Sequence, residues 1–328
     1  MNMIRDSLAC AALVALAAGC ATVPQFSNDP GDWMVVNLKT GAVDYPVFAS
    51  VTAAAEALNT DANKTDSMAF RRVEAGYYYL QGRGALNAKI GQPYYIGLFP
   101  VTARQLELMR GADADETAVP QWLVPATGIS YAELRGGPDV PATAGESLGD
   151  GPIARLNARV ASAGIRFDLP AEAMWEVAAR AMPPQKIYRY DWEWYFADYG
   201  QVGREGIEAT LSDHAWWRGN ADTPDSYGRS GEPRAVGQKK CNDLGLFDLY
   251  GNVSEWCLDA TARETPPAQF CDAPAREGAY RVCRGGSYAS GADSCRSSAR
   301  GSNIPGCGFP RVGFRLVAVP AAARPPVR

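Results

Sequence analysis

The chain has 328 residues, 47% of them hydrophobic and 21% charged, and a net charge of -4. That composition supports a sizeable buried core and excludes disorder over most of the length, and the small acidic excess leaves no basic footprint for nucleic acid. No low-complexity linker or internal repeat divides the chain, so one large domain with insertions is the simplest organisation.

Arg5 precedes an apolar run from Leu8 to Ala18 that is too short for a permanent membrane span, so residues 1–19 read as an export signal. Leu16-Ala17-Ala18-Gly19-Cys20 resembles a bacterial lipobox, in which small residues open the bond before a cysteine lipidated on its thiol. Cys20 is the expected membrane anchor, each buried acyl methylene contributing roughly 0.8 kcal/mol. Residues 20–32 are polar and turn-rich and read as a tether. The expected location is the cell envelope, at the outer membrane, with the domain in the periplasm or at the cell surface. Ala21 lacks the aspartate that can retain lipoproteins at an inner membrane.

From Trp33 the pattern changes to strands rich in aromatic and β-branched residues: 33–38, 70–73, 77–80 and 94–99. Thr102 can cap a helix running through Gln105, Leu106 and Met109, and residues 111–150, rich in Gly, Pro, Ala and acids, suggest a long surface excursion. A second helix is expected over 153–163. A third follows Asp168, with Pro170 in its first turn, Glu172 at the positive end of its dipole and Trp175, Ala178 and Ala179 on its core face. Residues 188–217 read as irregular and aromatic, with turns through 245. A few helices, short strands and abundant loop make an α+β domain over 33–318, followed by a flexible tail at 319–328.

Setting aside Cys10 in the signal and Cys20, six cysteines remain: Cys241, Cys257, Cys271, Cys283, Cys295 and Cys307. An even number in an exported chain reads as three disulfides, with about fifteen possible connectivities. A metal site competes, but no pair has C-x-x-C spacing and His214 is the only histidine. Beside Trp216 and Trp217, His214 reads as a packed or surface residue rather than a ligand.

Four segments then occur in order: Tyr95-Ile96-Gly97-Leu98-Phe99-Pro100-Val101-Thr102; Leu169-Pro170-Ala171-Glu172-Ala173-Met174-Trp175-Glu176; Gly245-Leu246-Phe247-Asp248-Leu249-Tyr250-Gly251-Asn252-Val253-Ser254-Glu255-Trp256; and Arg284-Gly285-Gly286-Ser287-Tyr288 through Gly313-Phe314-Arg315. Together, over about residues 68–318, they resemble the formylglycine-generating enzyme, or sulfatase-modifying factor, family. The resemblance implies a variant of the C-type lectin fold, loop-rich, with few helices and short antiparallel strands. Gly285 and Gly286 suggest close backbone approach or unusual φ, and Trp256 and Phe314 look like core aromatics.

The family binds calcium through the third segment. Carried over residue by residue, the ligands are the side chains of Asp248 and Glu255 and the carbonyls of Gly251 and Val253, hard oxygens suited to that ion. The family's copper-dependent oxidase uses two cysteines after the Gly-Gly-Ser-Tyr segment, two residues and then five further on. Those positions here hold Ser290 and Cys295. Ser290 supplies no thiolate for Cu(I), which leaves Cys295 as a weak catalytic candidate, for which half of a disulfide is the preferred reading. Copper is therefore not expected. A related branch uses iron held by several histidines, which one histidine cannot build.

The leading functional expectation is a non-oxidase module binding protein or glycan, displayed on the envelope by its lipid. Its candidate contact loops are 288–294 and 302–310, with Tyr288, Ser290, Asp293, Ser302 and Asn303 as contact residues. The layout also resembles surface lipoproteins diversified by retroelements. The alternative is a metal-dependent oxidoreductase acting on an exported protein, and a third reading is a structural envelope component.

Overall fold

Along Trp33–Asn37 the side chains alternate between two apolar environments, Trp33 and Val35 on one side, Met34 and Val36 on the other. A period of two with both faces covered builds a strand buried on both sides. The computed structural model describes residues 31–79, 87–112, 119–137, 149–181, 204–222, 228, 231–261, 270–272, 274–275 and 278–320. The export signal, Cys20, the tether up to residue 30 and residues 321–328 lie outside them.

In chain order the elements are β1 (Trp33–Asn37), β2 (Val43–Asp44), α1 (Val51–Leu58), β3 (Ser67–Val73), β4 (Gly76–Tyr79), β5 (Asn87–Ile90), β6 (Tyr94–Gly97), α2 (Ala103–Arg110), α3 (Val119–Trp122) and α4 (Tyr131–Arg135). There follow α5 (Pro152–Arg159), β7 (Ile165–Asp168), α6 (Glu172–Arg180), α7 (Arg204–His214), α8 (Arg218–Ala221), β8 (Ser254–Thr261), β9 (Phe270–Cys271), β10 (Tyr280–Arg284), β11 (Arg300–Asn303), β12 (Val312–Gly313) and β13 (Val317–Pro320). No described helix is long and apolar enough to cross a membrane.

The main sheet has the order β2-β1-β3-β6-β13-β7 and is antiparallel throughout. It separates two cores. One holds Trp33, Tyr94, Ile96 and the helix residues Trp175 and Val177; the other holds Met34, Phe70 and Phe167 under Leu106, Tyr131 and Leu156. The second sheet, β11-β10-β8-β12, spans the same two cores, with Val282 and Cys257 facing the first and Trp256, Leu258 and Cys283 the second. A third, small sheet is β4-β5-β9.

The α2 start is as expected: the Thr102 hydroxyl accepts from the Gln105 amide, and the Gln105 side chain returns the bond to the Thr102 amide. Other expectations need correction. Residues 129–135, within the presumed surface excursion, carry Ile129, Tyr131 and Leu134 into the second core. Pro170 lies just outside α6, whose cap position is Ala171; the first helical amide, Glu172 N, instead donates to the Asp259 carboxylate at 2.6 Å. All nine α6 residues are buried rather than one face. Residues 204–214 form α7 where irregular chain was expected, while 188–203 lie outside the described residues. The presumed tail begins too early, because Val319 and Pro320 extend β13 and pair with Arg166 and Ile165 of β7.

Candidate functional site

The loop between Asn242 and β8 is built by side chains that replace regular backbone pairing. Asn242 Oδ1 accepts from the Leu244 and Leu246 amides, and its Nδ2 donates to Ala178 O at the end of α6. Asp248 and Asn252 both adopt left-handed backbone, φ 55° and 56°, a conformation that Asp and Asn tolerate better than most residues. Asn252 is fully buried and exchanges two hydrogen bonds with the Arg234 backbone, at 3.0 and 3.1 Å.

The four residues expected to hold calcium do converge on this loop, but their side-chain oxygens are already engaged. Glu255 accepts from Trp175 Nε1 at 2.6 Å and from Arg315 Nε and Nη2 at 2.9–3.2 Å. Asp248 accepts from the Gly237 amide at 2.7 Å and from Asn252 Nδ2 at 3.3 Å. Burial pushes the Asp248 carboxyl up from its ordinary value, opposed by the Gly237 amide and the Arg315 charge. The arrangement does not fit a calcium cage, because a guanidinium stands against the carboxylate that the ion would need. Gly251 and Val253 are buried backbone positions, Gly251 N donating to Gly285 O at 2.8 Å.

Gly285 and Gly286 have φ 92° and 71°, as their sequence context suggests. A Cβ on Gly285 would lie 2.8 Å from Leu249 O, and one on Gly286 2.6 Å from Ser294 O, so neither position has room for a side chain. The turn that follows is closed by its serines: Ser287 N donates to Ser290 Oγ at 2.9 Å, and the two hydroxyls are 3.1 Å apart. It is fixed to its surroundings by Tyr288 N to Asn252 O and Arg218 N to Ser290 O, at 2.8 and 3.0 Å. Ser290 is half-buried at the surface end of this turn. Cys295 is fully buried in the first core, and desolvation pushes its thiol up to about 12. Burial thus favours the protonated thiol.

The expected contact residues divide. Asp293 is exposed, and Ser290, Ser302 and Asn303 are half-buried, but Tyr288 turns inward. Ser302 and Asn303 belong to β11, where Asn303 Nδ2 donates to Cys283 Sγ at 3.4 Å, and are not loop residues. Around the turn lie two exposed arginines that the sequence did not single out: Arg218, whose guanidinium lies against Gly291, and Arg311, over the Tyr288 ring at 5.9 Å.

The six cysteines expected to form three disulfides divide by burial: Cys257, Cys283 and Cys295 are buried, and Cys241 and Cys271 half-buried. Cys283 pairs in register with Trp256 and faces the second core, whereas Cys257, next along β8, faces the first. Cys271 belongs to the third sheet and Cys307 is exposed on the 303–310 loop. Bridging demands Cβ atoms that point at each other within about 4.5 Å, and thiols on opposite sheet faces do not meet that condition. Among the described residues no group of three or more His, Cys, Asp or Glu side chains could hold a metal. His214 ends α7, half-buried, and desolvation lowers its pKa.

Sequence reasoning missed an ionic network under the turn. Arg284, fully buried, pairs with Glu176 and, at 3.2 Å, with Glu172; Arg300 pairs with Glu172 at 2.9 Å; Arg180 pairs with Glu176 at 2.7 Å. The available signal was Glu172, Glu176 and Arg180 at i, i+4 and i+8 in an otherwise apolar helix.

The sulfatase-modifying factor enzyme 1-like domain model matches residues 55–319. Chaperone protein LppX of Paenibacillus barcinonensis is 27% identical over 159 residues, 46% of this chain and 49% of that protein. The formylglycine-generating enzyme of Thermomonospora curvata is 32% identical over 161 residues, again 46% and 49%. The chain thus spans about half the length of these curated relatives. Among solved structures, Treponema denticola variable protein 1 superposes with a TM-score of 0.55 at 21% identity, over 76% of this chain and 95% of that one. PvdO from Pseudomonas aeruginosa does so at 0.53 and 19%, over 76% and 94%. The fold is the α+β, formylglycine-generating-enzyme-like variant of the C-type lectin fold.

Proposed function

The chain belongs to the sulfatase-modifying factor enzyme 1-like domain family, and from that premise we propose that it is a lipid-anchored binding module of the cell envelope and not an oxidase. The observation that carries this reading is the turn after Gly286, which presents a serine near the surface and hides the remaining candidate thiol in the core. A copper oxidase needs soft thiolates at an accessible position. Ser290 offers a hydroxyl, and Cys295 is enclosed in the core, where burial disfavours its thiolate.

A rigid turn rimmed by Arg218, Ser290, Asp293 and Arg311 suits recognition. Its backbone is held by Gly285, Gly286 and hydrogen bonds to the 216–252 region, so little ordering cost accompanies binding. The two exposed arginines favour an acidic partner surface, and the relative named as a chaperone supports a protein partner. The lipobox-like Cys20 supports envelope anchoring, at the outer membrane by the absence of an aspartate after it.

The test uses the full-length lipoprotein. Cross-linking in the envelope fraction should capture a defined protein, and the double charge reversal Arg218→Glu and Arg311→Glu should weaken that capture about tenfold or more. A glycan array run in parallel separates sugar recognition from protein recognition. Copper- and oxygen-dependent oxidation of a cysteine-containing peptide by the same preparation would overturn the proposal in favour of an oxidoreductase.

A further inference from the structure

The third family segment implies a divalent cation, and the donors around it are arranged for a different one. Arg315 has no exposed surface. Its Nε and Nη2 hold both oxygens of Glu255, Nη1 donates to Gly97 O at 2.7 Å, and Nη2 also donates to Phe247 O at 2.7 Å. One guanidinium therefore joins a carboxylate and two main-chain carbonyls from β6, the Asn242–Glu255 loop and β8. Oxygens of those kinds are what an oxygen-loving ion would gather.

We propose that Arg315 is the resident cation of this loop, so that the Gly245–Glu255 segment is ordered by the chain itself and without calcium. The charges agree. The Glu255 carboxylate is matched by the Arg315 guanidinium, and the Asp248 oxygens accept from the Gly237 amide and from Asn252. Adding a divalent ion at Glu255 would set two further positive charges against a buried guanidinium, an arrangement that desolvation strongly opposes. The polar demand is met as well, since every carboxylate oxygen of Asp248 and Glu255 accepts from a protein donor. This inference is independent of what the Ser287–Asp293 turn binds.

The full chain is unfolded and refolded in excess EDTA, then desalted and divided into aliquots melted with EDTA or with about millimolar calcium chloride. An ion that binds only the folded state must raise the midpoint by mass action. The expected result is full refolding, midpoints that agree within about 1 °C, and far less than one calcium per chain by elemental analysis. Failure to refold without calcium, about one calcium retained per chain, or a calcium-dependent rise of several degrees would overturn the proposal. A second arm replaces the guanidinium by Arg315→Gln. A midpoint several degrees lower is expected; an unchanged midpoint would remove Arg315 from the role, and a variant that does not fold leaves the decision to the wild-type measurements.

Discussion

Asp259 couples acidity to stability in a direction opposite to that of most carboxylates. It lies on β8, buried, with Oδ2 accepting from the Glu172 amide at 2.6 Å and Oδ1 from the Ala275 amide at 3.1 Å. Desolvation is the main cause that pushes its carboxyl up to about 6 from an ordinary value of 3.8, with the negative charge of Glu172 adding to it. The folded protein thus binds this proton more tightly than the unfolded chain does. The stability it contributes is fully present below about pH 4 and is lost as pH rises through about 6. At 1.36 kcal/mol per pH unit of displacement, the difference between the two ends is about 3 kcal/mol, an order-of-magnitude figure. Asp259→Asn keeps one acceptor for the α6 amide and removes the titration. Urea unfolding of both proteins from pH 4.5 to 7.5 should show the wild type losing stability relative to the variant by about 2 kcal/mol across the range. Parallel profiles would refute the reasoning, because groups common to both proteins cancel in the difference.

Gly285→Ala forces a side chain into a left-handed position where its Cβ lies 2.8 Å from Leu249 O, so a loss of about 2 kcal/mol or more is expected in the same denaturation assay. With a maleimide probe on the native chain, Cys307 should label first, and Cys257, Cys283 and Cys295 only after unfolding. A denatured, unreduced sample in which these four stay unreactive would show that they are paired.

Sequence carried the local features well where a feature closes within a few residues. The Thr102–Gln105 capping box, the alternation along Trp33–Asn37 and the double glycine at 285–286 are local, and each folds as its spacing suggests. The four family segments placed the fold because their order is a property of the chain. The failures are long-range. Nothing near Glu255 says that its partner cation is Arg315, 60 residues away, or that Asp259 caps a helix 87 residues upstream. Ile129, Tyr131 and Leu134 were hidden by the Gly, Pro and acidic residues around them, although three apolar side chains in a short helical stretch offered a period to count. The cysteine count gave parity but no geometry, and the sheet faces on which Cys257 and Cys283 fall remove only the pairing of those two.

The place of β13 in the main sheet governs when that sheet can close. It is the last described segment of the chain, yet it sits between β6 and β7 and is the strand through which β7 joins the other four. Synthesis delivers β1, β3 and β6 early, but the slot beside β6 stays open until residue 320 has emerged. Closure therefore depends on contacts separated by more than 200 residues for β13 and β6, the kind of distant pairing that slows folding.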